Sequence, residues 1–298
     1  MVWCSGWKLA SAVSNAGGLG LIGSGSMYPE VLREHIQKCR AATSLPFGVN
    51  VPLLYPEIEK LMDIIVGEGI KIVFTSAGSP AKWTSFLKKN GITVAHVVSN
   101  TKFAIKCAEA GVDVIVAEGF EAGGHNGREE TTSMVLIPHV RSVVDLPLIA
   151  AGGMGSGSAM LAAMSLGAEG IQVGSRFAVT KESSAHINFK NTVLNLPEGG
   201  TMLTLKQLAP VRLIKNKFFE LVQEAQFRGA SAEELKLLLG RGRAKKGIFE
   251  GELDEGELEI GQVSAMISSL QTVSDVIHDI IQEYNLKLKQ IRNDYLQF

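Results

Sequence analysis

The sequence predicts an α/β fold: a TIM-type (β/α)8 barrel that lacks its first strand and carries a small helical cap and a C-terminal helix. Between residues 19 and 178, short apolar strands alternate with amphipathic helices, and seven such units are visible. Glycine-rich turns follow the strands. In a barrel these turns meet at the carboxyl-terminal rim, where barrel active sites are built, whereas an open doubly wound sheet would concentrate them at one switch point.

The predicted strands are nearly continuous apolar runs, which is typical of parallel strands buried on both faces. A helix is predicted at about residues 7–16, and no strand precedes it. An eighth strand before Met1 would complete the barrel, so we expect the chain to be truncated at its amino end. The predicted strands are Leu19–Gly25, Phe47–Leu53, Lys71–Gly78, Thr93–Ser99, Val112–Gly119, Pro147–Gly153 and Gly170–Ala178.

Three regions follow from this pattern: the barrel at 1–183, a helical cap over the substrate region at 184–260, and C-terminal helices packed on the barrel at 261–298. In the cap, Ser231 and Glu234 form a capping-box pattern, and Gly240 is the matching helix stop. A final amphipathic helix is predicted to start at Thr272. Its apolar stripe comprises Val273, Val276, Ile277, Ile280, Ile281 and Tyr284.

Composition excludes several classes of protein. The net charge of the 298 residues is −1, so no global field attracts nucleic acid or an anionic membrane. No apolar run is long enough for a membrane span. The three cysteines are scattered and the histidines lack metal-ligand spacing, so neither a disulfide framework nor a metal site is expected. We therefore expect a cytoplasmic protein that acts on a small molecule.

The loop from residue 118 to residue 130 carries most of the functional information. It follows an apolar strand and places His125 among four glycines, namely Gly119, Gly123, Gly124 and Gly127. Glycine lets the backbone approach a ligand closely, and an imidazole transfers protons near neutral pH. The loop is therefore a candidate for acid–base chemistry. The alternative is a surface loop with an incidental histidine.

Two further glycine turns end the last two predicted strands. They contain Gly152 and Gly153 in one turn and Gly174 and Ser175 in the other. In many barrels the loops after strands seven and eight bind phosphate through backbone amides and a helix N-terminus. No Walker lysine follows and no GxGxxG motif opens the first unit, so the pattern favours neither a nucleoside triphosphate nor a Rossmann dinucleotide site.

Earlier strand ends offer polar groups to a flat ligand at the same rim. These are Asn50, Thr75, Ser76 and Ser99, with small residues beside them. A heteroaromatic cofactor with a phosphate at the last two turns, such as FMN, fits this arrangement. A sugar-phosphate substrate fits nearly as well, and plain capping of the strand ends explains Asn50 and Thr75 without any ligand.

Five motifs resemble, in order, those of the FMN-dependent nitronate monooxygenase and enoyl-ACP reductase II superfamily. The family begins with a strand ending in Gly-Gly-Met, of which only Met1 remains here. Two later stretches, at 209–216 and 250–262, look more like the enoyl-ACP reductase II branch. The five motifs are Asn15-Ala-Gly-Gly-Leu-Gly20, Phe47-Gly-Val-Asn50, Glu121-Ala-Gly-Gly-His125, Ala150-Ala-Gly-Gly153 and Val173-Gly-Ser-Arg-Phe177.

The resemblance implies an FMN-dependent oxidoreductase in which His125 matches the active-site histidine. As a reductase, it would use NADH or NADPH to reduce trans-2-enoyl-ACP thioesters in fatty-acid synthesis, with His125 or water as the acid. The alternatives are a nitronate monooxygenase, in which His125 acts as base, and a flavin- or phosphate-binding protein without turnover. The implied cofactor-binding residues are Met1, Asn50, Thr75, Ala122, Gly123, Gly152, Gly153, Gly174 and Ser175.

An acyl carrier protein is the partner that the reductase interpretation implies. Such carriers are acidic, so a basic patch near the barrel mouth is expected, although basic residues at solvated helix ends explain the same pattern. A homodimer is left open. The candidate basic residues are Arg212, Lys215, Lys217, Arg241, Arg243, Lys245 and Lys246.

Overall fold

Seven parallel strands form the main sheet of the computed structural model, which describes residues 1–294. They are hydrogen-bonded in chain order and curl into a half-barrel with helices on the outside, which confirms the predicted barrel class. The two edge strands of this sheet are the first and the last. The strands are β1 Gly20–Gly23, β2 Phe47–Pro52, β3 Ile72–Ser76, β4 Thr93–Val98, β5 Val114–Glu118, β7 Leu148–Ala151 and β8 Gly170–Gln172.

Side chains alternate across this sheet, and the two faces differ. The outer side chains, such as Val49, Val73 and Ile115, are buried against the helices in the main apolar core. The inner side chains form a second cluster around Phe74 and Val116. Several inner members are only half-buried, so the hollow of the half-barrel is not filled by packed side chains. These are Leu21, Ile72, Val97, Val114 and Ile149.

The helices of the barrel lie between successive strands. The predicted first helix is present as α1. The helix before the last strand is N-capped by Ser156, whose side chain accepts a hydrogen bond from the Ala159 amide at 3.1 Å. The helices are α1 Trp7–Asn15, α2 Pro29–Ala42, α3 Ile58–Gly67, α4 Ala81–Lys89, α5 Thr101–Glu109, α6 Ser133–Arg141, α7 Gly157–Ser165 and the short α8 Ser175–Ala178.

One predicted strand is partly wrong. The sequence predicts an extended strand over 170–178, but β8 ends at Gln172 and residues 175–178 form a helical turn. The turn bends because the Gly174 carbonyl accepts hydrogen bonds from the Phe177 and Ala178 amides, both at 3.0 Å. An apolar run alone does not distinguish a strand from a buried helical turn.

Residues 1–5 lie beside the carboxyl ends of the two edge strands. The Ser5 carbonyl accepts a hydrogen bond from the Gly23 amide at 2.9 Å, at the end of β1. The Cys4 carbonyl accepts one from the Ser184 amide at 3.1 Å, in the segment that follows α8. This short segment thus connects the two edges at the rim.

The cap contains a small antiparallel sheet as well as helices, and the sequence pattern missed its strands. Its middle strand, β10 (Val211–Ile214), pairs on one side with β9 (Thr201–Thr204) and on the other with β6 (Gly124–His125), which is part of the His125 loop. The capping box of Ser231 and Glu234 is present as predicted. The cap elements are β6 Gly124–His125, α9 Ile187–Leu194, β9 Thr201–Thr204, β10 Val211–Ile214, α10 Lys217–Phe227 and α11 Ala232–Leu239.

The predicted C-terminal helix is α12, Val273–Asp294, and it packs on the barrel wall. Val273, Val276 and Ile280 of its stripe are buried beside α1. Backbone contact with α7 is so close that a Cβ on Gly157 would lie 2.2 Å from the Tyr284 nitrogen. Residues 295–298 of the predicted C-terminal region lie outside the described residues.

Two further findings on the described residues concern membrane spans and metal sites. Across 1–294, none of the helices combines the length and the apolar character needed to cross a bilayer. In that same part of the chain, His, Cys, Asp and Glu side chains do not gather in any group that could hold a metal ion.

Candidate active site

The carboxyl-terminal rim of the half-barrel brings together most of the residues singled out in the sequence. Asn50 faces the hollow, because it is paired in register with Gly23 on one side and with the inward-facing Phe74 on the other. Its side chain is half-buried. Ser76 shares the inner face of β3 with Phe74. Polar groups therefore line the rim as expected from the strand ends.

The turn after β7 requires glycine. Gly152 and Gly153 have φ angles of +85° and +72°, in the left-handed region that other residues rarely adopt. A Cβ on Gly152 would also lie 2.6 Å from the Gly119 carbonyl oxygen. The backbone of this turn is therefore held directly against the loop that carries His125.

The turn after β8 is open instead. Among residues 1–294, and apart from its chain neighbours, the atoms within 4 Å of a Cβ built on Gly174 belong to the Met1 side chain, at 3.9 Å. No carbonyl in the described loops accepts a hydrogen bond from the amides of Gly153, Gly174 or Ser175. Donors that project from two adjacent turns and lack a protein acceptor are suited to an anion such as phosphate.

Thr75 is placed differently from Asn50. Its side chain is 1% exposed and lies on the outer face of β3, with Val73, among the helices. The hydroxyl donates to the Ala95 carbonyl at 3.1 Å and is 2.7 Å from Nδ1 of His96. A ligand in the hollow would thus be reached only by the Thr75 backbone.

A segment of the cap crosses the histidine loop at Gly123. A Cβ on Gly123 would lie 2.4 Å from the Ile260 carbonyl carbon. The same segment is bonded both to the turn after β8 and to the histidine loop: the Gly261 amide donates to Oγ of Ser175 at 2.9 Å, and the Gln262 amide to the Glu121 carbonyl at 2.9 Å. Ala122, next to Gly123 in the loop, is buried.

His125 is held at the end of the loop and its side chain is exposed. It is paired with Val211 of β10, and the next loop residue, Asn126, donates to the Pro210 carbonyl at 2.9 Å. The Asn126 side chain also donates to the Ala122 carbonyl at 2.8 Å. A solvent-accessible imidazole on a well-anchored loop is suited to exchange protons with a bound substrate.

Two rim residues, Glu118 and Gln172, were missed by the sequence reasoning. Both are paired in register with Ala151, so they flank that small residue on the inner face of the sheet. Burial raises the pKa of Glu118 to about 7. Oε1 of Gln172 is buried without a hydrogen-bond partner among the described residues. A polar residue at the last inward position of a strand was the signal that could have identified them.

The predicted basic patch needs correction at Arg212. Its side chain is 2% exposed, donates to the Phe120 carbonyl at 2.9 Å and stacks on the Phe120 ring. It supports the histidine loop from within and cannot contribute to a docking surface. Three of the other residues are in surface ion pairs, Lys217 with Asp254, Arg243 with Glu255 and Lys245 with Glu250.

Fold and site together define a class: a (β/α)-barrel enzyme whose last two strand turns offer free backbone amides to an anionic cofactor group and whose exposed histidine lies at the same rim. The comparisons with known proteins agree. The nitronate monooxygenase family model matches residues 1–283, and the chain belongs to that family. It is thus a flavin-type oxidoreductase of the group that contains the nitronate monooxygenases and FabK.

Three relatives illustrate the range of this group. FabK of Thermotoga maritima superimposes with a TM-score of 0.94 and 37% identity, covering 98% of this chain and 93% of that one. A Rhodococcus jostii (3aS,4S,5R,7aS)-5-hydroxy-7a-methyl-1-oxo-octahydro-1H-indene-4-carboxyl-CoA dehydrogenase is 27% identical, covering 95% of this chain and 90% of the relative. A probable nitronate monooxygenase of Bacillus subtilis is 29% identical, with 93% and 91% covered.

Proposed function

We propose that this chain is an FMN-dependent enoyl-ACP reductase that uses NADH or NADPH to reduce trans-2-enoyl thioesters. The observation that carries the proposal is the similarity to FabK, an enoyl-ACP reductase II, over 98% of the chain at 37% identity. The rhodococcal relative is named for a CoA thioester, which supports the same broad class of substrate. The geometry of the rim supports the cofactor.

The residues at the rim fit FMN. The amides of Gly153, Gly174 and Ser175 would bind its phosphate, since the described loops leave them without acceptors. Asn50, with the Glu118 and Gln172 side chains, would face polar edges of the ring system, and the unpartnered Gln172 oxygen would gain a donor there. When bound, FMN would supply the hydride transfer between the nicotinamide and the substrate.

His125 would supply the proton. Reduction of an enoyl thioester adds hydride at the β-carbon and a proton at the α-carbon, so an acid must lie beside the substrate. The imidazole is exposed at the rim, and its loop is anchored through Asn126. A well-placed general acid contributes roughly 10²- to 10⁴-fold to such a step. Water is the alternative acid.

A groove beside the phosphate turn supports a substrate with a hydrocarbon part. It has a volume of about 360 Å³ and is bounded at its polar end by Gly152, Gly153 and Glu121. Its walls are mostly apolar and come chiefly from α6, the turn after β7 and α7, on the outer side of the sheet. The apolar lining residues include Met134, Ile137, Met154, Ala159, Ala162, Ala163, Leu166, Val263 and Met266.

Anaerobic stopped-flow spectroscopy tests the proposal on the FMN-loaded protein. We expect NADH or NADPH to bleach the flavin absorbance and crotonyl thioester to restore it. Flavin that binds but is not bleached by either nucleotide would support a binding protein without turnover, and a protein that ignores added FMN would contradict the cofactor assignment.

The role of His125 is tested with a matched pair of variants. We expect His125→Ala to slow the thioester half-reaction by about 10²-fold or more while leaving reduction by NADH unchanged. His139→Ala is the control, because His139 is also an exposed histidine but lies in the last turn of α6. Equal reoxidation rates in wild type and His125→Ala would remove His125 from the mechanism.

Nitronate monooxygenase activity is the second candidate, favoured by the family model and by the Bacillus subtilis relative. In that reaction His125 would accept a proton from a nitroalkane instead of donating one. Bleaching by an alkyl nitronate but not by NADH, followed by reoxidation with O2, selects this activity. Rapid reoxidation by crotonyl thioester selects the reductase.

An acyl carrier protein is the partner that we propose for the reductase. Arg241, Lys215 and Lys246 are the exposed cations left from the predicted basic patch. Charge reversal at Arg241 and Lys246 should raise KM for an enoyl-ACP several-fold and leave KM for the corresponding enoyl-CoA unchanged. Equal effects on both substrates would contradict docking at this surface.

A further inference from the structure

We propose that Glu259 is a positioning residue for His125, acting as the charged partner of the imidazole. The inference deepens the proposed function, because it concerns the residue that moves the proton. It depends on the placement of Glu259 relative to the histidine loop.

The register of β10 places both side chains on one face of the cap sheet. His125 pairs with Val211, and Glu259 forms an antiparallel bridge with Leu213. Residues directly opposite each other in an antiparallel pair project to the same face, and alternate residues of one strand share a face. The two residues face positions of β10 that are two residues apart, which is about 7 Å along the strand and within the reach of a glutamate side chain.

Gly124 creates the space for this carboxylate. Oε2 of Glu259 lies 2.7 Å from the position that a Cβ on Gly124 would occupy. Gly124 has a φ of +74° and immediately precedes His125. The carboxylate therefore lies directly over the backbone of the histidine loop, where any side chain at position 124 would displace it.

The segment around Glu259 is fixed on both sides. The Ile214 amide donates to the Leu258 carbonyl at 2.9 Å, and the Gly261 amide donates to Oγ of Ser175 at 2.9 Å. These bonds connect Glu259 to the cap sheet and to the second glycine turn. A side chain held between two anchored points can orient a neighbour with little loss of rotamer freedom.

The electrostatic surroundings of Glu259 are defined by four titratable groups: His125, Glu257, Cys4 and the Met1 amino group. Burial raises the pKa of Glu259, while the positive charge of His125 acts in the opposite direction. A carboxylate beside the histidine loop can orient an imidazole through a hydrogen bond.

Titration of Glu259 tests the coupling without substrate or flavin turnover. In protein labelled with ¹³C at glutamate carboxyl carbons, the Glu259→Gln variant identifies the Glu259 resonance. We expect His125→Ala to move the pH midpoint of this resonance upward by about half a unit or more, because a nearby positive charge is lost. The His139→Ala control should leave it unchanged. An unmoved midpoint in His125→Ala overturns the inference.

Kinetics then test whether the coupling serves proton transfer. We expect Glu259→Gln to slow the substrate half-reaction by about 10-fold and to alter its pH profile, with reduction by NADH unaffected. Glu255→Gln removes a carboxylate four residues away, where it pairs with Arg243 at the surface, and should leave the profile as in wild type. Loss of function through misfolding would slow both half-reactions.

A double variant separates this inference from the proposed function. If Glu259 acts through His125, then Glu259→Gln has no further effect in a His125→Ala background. Additive effects of the two substitutions overturn the inference. The proposed function fails on a different result, namely wild-type protein that is not reoxidised by any enoyl thioester.

Discussion

Substitution of Gly123 by alanine tests the contact between the cap and the histidine loop. The added Cβ would lie 2.4 Å from the Ile260 carbonyl carbon and 2.5 Å from the Gly261 nitrogen. Ordinary Cβ contacts begin at 3.4 Å, so the backbone at 260–261 must move by about 1 Å. Both partners are backbone atoms, which cannot rotate away. Overpacking of this kind costs about 1–3 kcal/mol.

Two measurements follow from the displacement. Each kcal/mol should lower Tm by about 2–4 °C in a chain of this size. FMN affinity should also fall, because the same segment is bonded to Ser175 through the Gly261 amide. Differential scanning calorimetry and flavin fluorescence titration measure the two effects.

Gly170→Ala is the matched control for this substitution. Gly170 lies in β8, its φ is not in the left-handed region, and no atom lies within 4 Å of an added Cβ. We expect its Tm to remain within about 1 °C of wild type. Wild-type Tm and affinity in Gly123→Ala, or equal losses in the two variants, would refute the reasoning.

Three further predictions concern the cofactor turn and the response to acid. Gly174→Ala should leave Tm unchanged, since the site is open, but weaken FMN binding by about 10-fold in a fluorescence titration if phosphate occupies that space. Burial lowers the pKa of His96 from 6.5 to about 4, so the unfolded chain binds the proton at a higher pH than the folded protein does. The free energy of unfolding should therefore fall by about 3 kcal/mol as the pH drops from 6.5 to about 4, and urea unfolding of His96→Gln should show a smaller loss. Glu283 accepts hydrogen bonds from Ser158 and the Gly157 amide at the start of α7, and these bonds lower the pKa of its carboxyl group. Its contribution to folding stability is therefore present at neutral pH and lost below about pH 4.5. Urea unfolding should show Glu283→Gln to be about 1 kcal/mol less stable than wild type at pH 7 and less sensitive to acid.

The barrel could be predicted from the sequence because each of its units is local. An apolar run of four to six residues followed by glycine and an amphipathic helix identifies a strand unit without knowledge of its neighbours. The cap strands could not be found in this way. The partner of His125 is Val211, far along the chain, and strands of two to four residues carry too little periodicity to be recognised alone.

The site residues divide in the same way, into those that local sequence identifies and those that only contacts distant in the chain identify. The glycine turns were found because their residue types are unusual, and the structure places them together at the rim. The face of Thr75 could not be found, because strands buried on both sides are apolar throughout and no alternation marks the inner face. The burial of Arg212 depends on a carbonyl acceptor, that of Phe120, distant in the chain.

The amino-acid order by itself determined that parallel strands end in glycine turns and that one histidine follows the fifth of them, because both depend on short-range backbone preferences. Only the tertiary structure decided which side chains face the hollow, since strand register and curl set that direction. It also brought Glu259 over Gly124, because a contact between residues 135 positions apart arises from chain folding and leaves no local pattern.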